Sequence, residues 1–237
     1  MVDLHSHILP NIDDGSSSIF ETFIMLKEAE KAGFTDIIAT PHYILGSIEQ
    51  NKEDILNQIS EINIAAKEQG IHVKIHPGAE IFGVPNISET IKNNKFLSLN
   101  LSKYILIEFA MHNRPLYIDK LIFELCNLGY LPIIAHPERY SYVQDDLSIV
   151  SQWQNTGALI QSNYGTLLGK YGSSAQKTLI KLLKNKQVDF MGSDCHNAGS
   201  VYDNMFESIK KLNKIVDSEY FEIITKNNAK KILINIK

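Results

Sequence analysis

Five of the eight histidines stand where short apolar runs end, alongside three acidic residues in equivalent positions and a fourth in a turn. His5 and His7 are two apart, and so are Asp194 and His196. Residues two apart in a strand project to the same side, so each pair offers two metal-ligating atoms on one face. His42 follows Pro41, and His136 opens His-Pro-Glu-Arg. Glu80 and Glu108 close the runs Gly-Ala-Glu and Leu-Ile-Glu, and Asp14 belongs to an Asp-Asp-Gly turn. A carboxylate ending an apolar strand is rarely buried unless it is paired or metal-bound. Each residue also has a bland reading as a surface histidine, a turn aspartate or a salt-bridged strand end. Independent bland readings at so many equivalent positions are hard to sustain together.

The set comprises five imidazoles (His5, His7, His42, His136, His196) and four carboxylates (Asp14, Glu80, Glu108, Asp194). Nine N/O donors exceed the needs of one tetrahedral ion and suit two or three divalent ions bridged by carboxylates. Imidazole and carboxylate without thiolate suit manganese, iron, zinc or cobalt, with magnesium also possible, rather than a Cys-rich structural zinc. Such clusters hydrolyse phosphate esters by attack of a metal-bridging hydroxide. The remaining phosphate oxygens need a cation, and the chain has two arginines, Arg114 and Arg139. Arg139 lies three residues beyond His136, so its guanidinium can lean over the same mouth and take phosphate bidentately. Its alternative is an ion pair with Glu138. Tyr43, Phe109, Tyr140 and Tyr164 follow strand ends and are candidates to flank a substrate, with ordinary packing as the alternative. His72, His76 and His112 break the pattern and read as structural or exposed. A thiol mechanism is excluded: cysteine-dependent phosphatases need Cys-x5-Arg, and Pro132 and Val201 stand six places after Cys126 and Cys195.

Seven apolar runs carry these positions: Val2–Leu4, Asp36–Thr40, Val73–Ile75, Tyr104–Ile107, Leu131–Ala135, Ala158–Gln161 and Val188–Gly192. Most are apolar throughout, as parallel strands buried on both faces are. Helical periodicity separates them at Ile19–Ala32, Asp54–Gln69, Tyr117–Leu128, Leu179–Lys186 and Met205–Val216, with Gly33, Gly70 and Gly129 as stops. Strand–helix alternation predicts βα units. Seven units across 237 residues point to one domain, residues 1–237, built as a distorted (β/α)7 barrel with its chemistry at the carboxyl ends of the strands. An open doubly wound sheet would gather ligands at one switch point instead.

Composition narrows the function classes. An apolar fraction of 44% is too high for disorder. A net charge of −4 gives no general attraction for nucleic acid. No apolar run reaches the roughly 18 residues that insert into a membrane, and the N-terminus lacks a signal-peptide pattern. Two cysteines make no disulfide framework, so a reducing, cytoplasmic setting is expected. The Ile19–Ala32 helix could serve as a homo-oligomer surface or pack on the barrel.

Asp-Leu-His-Ser-His-Ile-Leu-Pro-Asn-Ile-Asp-Asp-Gly at 3–15 resembles the opening of the polymerase-and-histidinol-phosphatase superfamily. More narrowly it is similar to the bacterial manganese-dependent tyrosine-protein phosphatases of capsule and exopolysaccharide gene clusters. Thr-Pro-His at 40–42, Gly-Ala-Glu at 78–80, Ile-Glu-Phe at 107–109, Ala-His-Pro-Glu-Arg-Tyr at 135–140 and Ser-Asp-Cys-His-Asn at 193–197 follow in order, so the resemblance covers essentially the whole chain. It implies a trinuclear centre: one ion on His5, His7, Glu80 and Asp194; a second on Glu80, Glu108 and His136; a third on Asp14, His42 and His196. It implies that Arg139 grips the phosphoryl group, with Asp14 among the catalytic positions. The reaction it implies is hydrolysis of phosphotyrosine on the tyrosine-rich tail of a bacterial tyrosine kinase. Two departures stand out. Asn11 replaces a frequent glycine, and Asn tolerates the left-handed turn. The second arginine that usually follows the His-Asn pair is missing from Ala198-Gly199-Ser200-Val201-Tyr202, leaving Lys170 or Arg114 as substitutes. The competing readings are a histidinol-phosphate-type or nucleotide phosphoesterase, and a non-catalytic metal-bound module that binds the kinase tail.

Overall fold

A computed structural model describes residues 1–92 and 96–234. Its strands are β1 (Val2–Ser6), β2 (Asp36–Ala39), β3 (His42–Tyr43), β4 (Lys74–His76), β5 (Glu80–Phe82), β6 (Tyr104–Glu108), β7 (Leu131–Ala135), β8 (Leu159–Asn163) and β9 (Phe190–Gly192). They form two parallel sheets in the orders β1-β2-β4 and β3-β5-β6-β7-β8-β9. All seven expected runs contribute a strand. Two expected strands are continued by short second pieces, β3 and β5, that belong to the other sheet. The change of sheet falls at Thr40-Pro41: Thr40 N–H still donates to Ser6 O at 2.9 Å, whereas Glu80 N–H donates to Pro41 O at 3.0 Å. Proline has no N–H with which to continue the first ladder. At the other margin the carboxyl ends of β1 and β9 adjoin through a parallel bridge, Ser6 to Cys195. Asp194 N–H donates to His5 O at 2.8 Å, and His7 N–H donates to Cys195 O at 2.9 Å.

Helices form where periodicity and caps agree. Helix α1 (Ile19–Lys31) starts at Ser18, whose side chain accepts from Glu21 N–H, and α2 (Lys52–Glu68) starts at Asn51, which accepts from Glu53 N–H. Gly33 and Gly70 end them with φ of 91° and 72°. The expected helix over 179–186 begins earlier, at Ser173, because Ala175 and Thr178 extend its buried face. The 205–216 helix stops at Leu212. Helix Ser148–Thr156 was not evident in the sequence; its buried Ile149, Val150 and Trp153 are too few to set a period. On α1, Phe20 and Ile24 face outward. No helix among the described residues is long and apolar enough to cross a membrane.

The larger core cluster lies between sheets and helices, and a smaller one gathers alternate strand residues: Val2 and Leu4, Ile38, Tyr104 and Leu106, Ile133 and Ala135, and Phe190. This inner face, followed toward the carboxyl ends, carries the chemistry. Strict alternation puts Glu108 on it after Leu106, and Glu80, the register partner of Leu106, beside it. Gln161, partner of Ala135, and Asn163 follow on β8. Strict alternation would put Ser6 there on β1. Instead the ladder to β2 carries one extra residue between Asp3 and Ser6. A bulge of this kind turns the strand, and His5 and His7 face inward.

Candidate metal centre

The carboxyl ends of the strands bring all nine expected donors to one place. His5 Nε2 and His7 Nε2 approach to 3.2 Å. Glu80 Oε2 lies 3.3 Å from His5 and 3.4 Å from His7, and Asp194 Oδ1 lies 3.5 and 3.6 Å from the same two nitrogens. His136 Nε2 meets Glu80 Oε1 at 3.0 Å. His42 Nδ1 is 3.2 Å from Glu80 and 3.3 Å from Glu108. Asp14 Oδ1 stands 3.5 Å from both His42 Nε2 and His196 Nε2. Three sets have donor atoms within 4.8 Å of one another: His5, His7 and Glu80; His42, Glu80 and Glu108; and His7, Asp14, His42 and His196. Glu80, His7 and His42 thus each border two sets. Asp14 is the exposed member, while His5, His7, Glu80, His136 and Asp194 are buried.

Backbone strain helps to aim these groups. His136 has φ 34° and Asp194 φ 52°, left-handed values that cost about 1–2 kcal/mol for a residue with a side chain. The turn at His136 directs its ring inward, where alternation after Ala135 would direct it outward. Asn11 also takes the left-handed conformation, φ 59°, as its type suggested. Gly15 and Gly192 lie against His7 and His5 so closely that a Cβ at either would collide with the histidine.

Carboxylates and carboxamides outside the expected set orient it. Asp13 Oδ2 accepts from His7 Nδ1 at 2.7 Å and from His42 N–H at 2.8 Å. His5 Nδ1 meets Gln161 Oε1 at 2.9 Å. With their Nδ1 atoms engaged, both rings turn Nε2 toward the cluster, the arrangement that outer partners of metal-bound histidines create. A signal for Asp13 existed: a ligating His7 needs such a partner, and the Asp-Asp pair supplies one residue for each task. His136 Nδ1 and His42 Nδ1 are buried without a hydrogen-bond partner among the described residues. For His42 Nδ1, with Glu80 and Glu108 close by, an ion is the natural partner.

The charges are strongly coupled. Burial alone would lower the His5 pKa, but Glu80 and Asp194 outweigh it and raise it to about 9. Burial likewise opposes the shift of His7, which Asp13 and Glu80 hold well above the usual range. Glu80 and Asp194 lie below the usual carboxylate range because the imidazoles overcome burial, and Asp13 is drawn down to about 2 by His7 against the same penalty. Glu108 is pushed up to about 8 by burial and then by Glu80. Burial lowers His42 and His196. So dense a set of buried carboxylates and imidazoles has the donor chemistry of a multinuclear divalent-ion site.

Arg139 sits at the rim. Its Nη1 donates to Asp194 Oδ2 at 2.7 Å. Glu138, the alternative partner, instead accepts from Asn163 N–H at 2.9 Å and Thr166 Oγ1 at 3.0 Å. Asp194 Oδ2 also accepts from Asn163 Nδ2 at 2.7 Å and Tyr171 Oη at 3.2 Å, which leaves Oδ1 facing the histidines. The Tyr171 ring covers the guanidinium, 4.2 Å from Cζ to the ring centroid. Nothing periodic in the sequence marks Tyr171, which lies in a turn between two helices.

The expected aromatic contacts need correction. Tyr140 is fully buried, its hydroxyl accepting from Phe109 N–H at 2.9 Å and its ring edge-on to His136 and Trp153. Tyr43 is 2% exposed, and Phe109 and Tyr164 are buried as well. Phe109, Tyr140 and Tyr164 pack beneath the site, whereas Tyr43 lines a cavity with Glu49 and Gln50, its hydroxyl donating to Glu49 at 3.5 Å. Arg114 binds Asp119 at 2.9 Å and Gln152 at 3.2 Å. His76 pairs with Asp36 at 2.8 Å, and His72 and His112 are exposed. Cys195 is buried and Cys126 half-buried, both as free thiols.

Comparison with known proteins agrees with this geometry. The family described as "Capsular polysaccharide synthesis, CpsB/CapC" matches residues 1–234. CapC of Staphylococcus aureus is 34% identical over 237 residues, 99% of this chain and 92% of that protein. The tyrosine-protein phosphatase YwqE of Bacillus subtilis is 31% identical over 227 residues, 96% of this chain and 89% of that one. A crystal structure from work on YwqE of Bacillus subtilis and CpsB of Streptococcus pneumoniae, described as unique metal-dependent tyrosine phosphatases, superposes with a TM-score of 0.92 at 31% identity. That match covers 98% of this chain and 94% of the other.

Proposed function

Because the chain belongs to the CpsB/CapC family of capsular polysaccharide synthesis, we propose that it is a metal-dependent tyrosine-protein phosphatase, a phosphoric monoester hydrolase. The observation that carries this is the carboxylate of Asp194: one oxygen faces the buried histidines and the other holds Arg139 at the rim. A phosphate-binding cation is thereby fixed one carboxylate away from the metal-ligating cluster. Two or three divalent ions, manganese first, would be held by His5, His7, Asp14, His42, Glu80, Glu108, His136, Asp194 and His196. When bound, such ions neutralise phosphoryl charge and acidify water.

The chain's own residues do the rest. Arg139 spends one N–H on Asp194, and no other hydrogen-bond partner for its guanidinium is seen among the described residues. The remaining N–H groups can take two phosphoryl oxygens and orient the ester. Tyr171 and Asp194 hold that guanidinium in place before substrate arrives. The innermost donors lie below the rim, so a phosphoryl group on a long, flat tyrosine ring reaches them more readily than one on a serine. No thiol takes part: burial pushes up both Cys126 and Cys195, which disfavours the nucleophilic thiolate.

The finer reading is one metallophosphatase domain over residues 1–237, with the two sheets as halves of a distorted (β/α)7 barrel. The adjoining ends of β1 and β9 support closure on one side, and the chain's passage from β2 to β3 and from β4 to β5 supports it on the other. Its substrate is the phosphorylated tyrosine-rich tail of a tyrosine kinase of the capsule or exopolysaccharide pathway. Free cysteines suit the reducing cytoplasm, where that tail would lie. The test is kcat/KM for a phosphotyrosine peptide against histidinol phosphate with metal-loaded protein. The peptide should be favoured by at least about 100-fold, roughly 2.7 kcal/mol of transition-state binding. Preference for histidinol phosphate would overturn the substrate assignment.

A further inference from the structure

We propose that the cavity beside Arg139 and Tyr171 is a second anion subsite, in which Lys170 binds a carboxylate or a second phosphoryl group borne by the same substrate segment. This rests on the phosphatase reading above and names what the site recognises next to the phosphotyrosine. The cavity measures about 400 Å³, and Gly165, Lys170, Gly199, Ser200, Val201 and Asn204 line it. One wall leads directly into Tyr171, whose hydroxyl reaches Asp194. The other follows directly from Asp194 and His196. The cavity is therefore built from the same two segments that carry the rim of the metal centre.

Lys170 is the one charged residue in this lining. Its Nζ lies 5.5 Å from the centroid of the Tyr171 ring, and Arg139 Cζ lies 4.2 Å from the same centroid. Both cations thus flank one aromatic ring. Lys170 is exposed and has no carboxylate partner among the described residues. Its side chain packs against Gly165, where an added Cβ would stand 3.2 Å from Lys170 Cδ. The opposite wall offers few competing donors. Ala198 N–H is taken by Glu21, and Gly199 N–H by both oxygens of Glu28. The Ser200 hydroxyl donates to Asn197 O at 2.7 Å, and Asn204 Nδ2 donates to Ser200 O. Two glutamates of α1 therefore pin this wall and take the amides of Ala198 and Gly199, leaving the Lys170 ammonium as the cavity's charged donor, with the buried Ser208 hydroxyl, unpartnered among the described residues, also in the lining. A neutral side chain would gain little there, and an anion would gain a charge-assisted bond.

The test uses the full-length, metal-loaded protein and phosphotyrosine peptides carrying Glu, Gln or Lys at each of the four positions on either side. A second series carries a second phosphotyrosine at those positions. The readouts are kcat and KM separately, and fluorescence anisotropy with peptides bearing a hydrolysis-resistant phosphonate. At one or two positions Glu should be favoured over Lys by about two- to fivefold, the range for an exposed ion pair, with the effect in KM. A second phosphoryl group should gain about tenfold. An advantage confined to the doubly phosphorylated series identifies the phosphoryl group as the natural occupant, and an equal gain from Glu identifies a carboxylate. Lys170→Glu should abolish or invert the preference, and Gly165→Ala should weaken it by displacing the lysine. A flat positional scan, or a preference that survives Lys170→Glu, would overturn the subsite. Failure to hydrolyse any phosphotyrosine peptide would overturn the phosphatase reading, and the subsite with it.

Discussion

Replacing Asp13 with Asn removes a charge while keeping shape, at a residue outside the set of nine donors. Its carboxylate serves three donors: His7 Nδ1 at 2.7 Å and His42 N–H at 2.8 Å on one oxygen, and Gly15 N–H at 2.9 Å on the other. An asparagine has one acceptor oxygen. If that oxygen faces His7 and His42, its NH2 confronts the Gly15 N–H; if it faces Gly15, the NH2 confronts His7 and His42. Either way at least one buried donor is stranded, and a hydrogen bond to a charged group worth about 1.5–3 kcal/mol is lost. Without its partner, the His7 ring no longer holds Nε2 toward Glu80 and Asp194. Loss of such an outer partner typically weakens metal binding by about 10–100-fold, or about 1.4–2.7 kcal/mol. The assay is competition for Mn²⁺ or Zn²⁺ against a fluorescent chelator, beside phosphate release at saturating metal. Weaker metal binding, with part of the activity restored by excess metal, is the expected result. Unchanged metal affinity in a variant that folds with wild-type circular dichroism would refute the orienting role.

Arg139→Ala should lower kcat/KM for phosphotyrosine peptide by about 10²–10³-fold, and Arg139→Lys should recover only part, since an ammonium cannot make the bidentate contact; steady-state kinetics decides. Changing both Cys126 and Cys195 to Ser should leave phosphate release within about threefold of wild type once metal is restored, and a large loss would refute a thiol-free mechanism. Loading the stripped protein with metal at pH 7 should release protons: His5, held near 9, and Glu108, near 8, are both protonated there and must lose their protons to ligate. Metal affinity should accordingly rise between pH 7 and 9, and a pH-stat titration showing no release would contradict these assignments.

The sequence was most informative where a repeating physical constraint acts on it. Parallel strands buried on both faces read as apolar runs, and each of the seven runs from Val2 to Gly192 became a strand. The donors were legible because an ionisable residue at the end of such a run stands out against apolar neighbours, as Glu80 and Glu108 do. What the sequence could not show depends on single backbone torsions or on long-range packing. The extra residue in β1 and the left-handed turn at His136 decide which side these histidines face, and neither has a compositional mark. Tyr140 looked like a substrate contact because it follows a strand end, yet the chain turns at His136 and drives its ring into the core. Tyr171 was invisible for the converse reason: it reaches Arg139 from a turn, through contacts that only the folded chain creates.

The most direct measurement of the central claim is phosphate release from matched phosphotyrosine and phosphoserine peptides by protein stripped with chelator and then reloaded with Mn²⁺. The account predicts no turnover when stripped, recovery on reloading, and a clear preference for phosphotyrosine. Turnover that persists without metal, or reloaded protein with bound Mn²⁺ that releases phosphate from neither peptide, would contradict it.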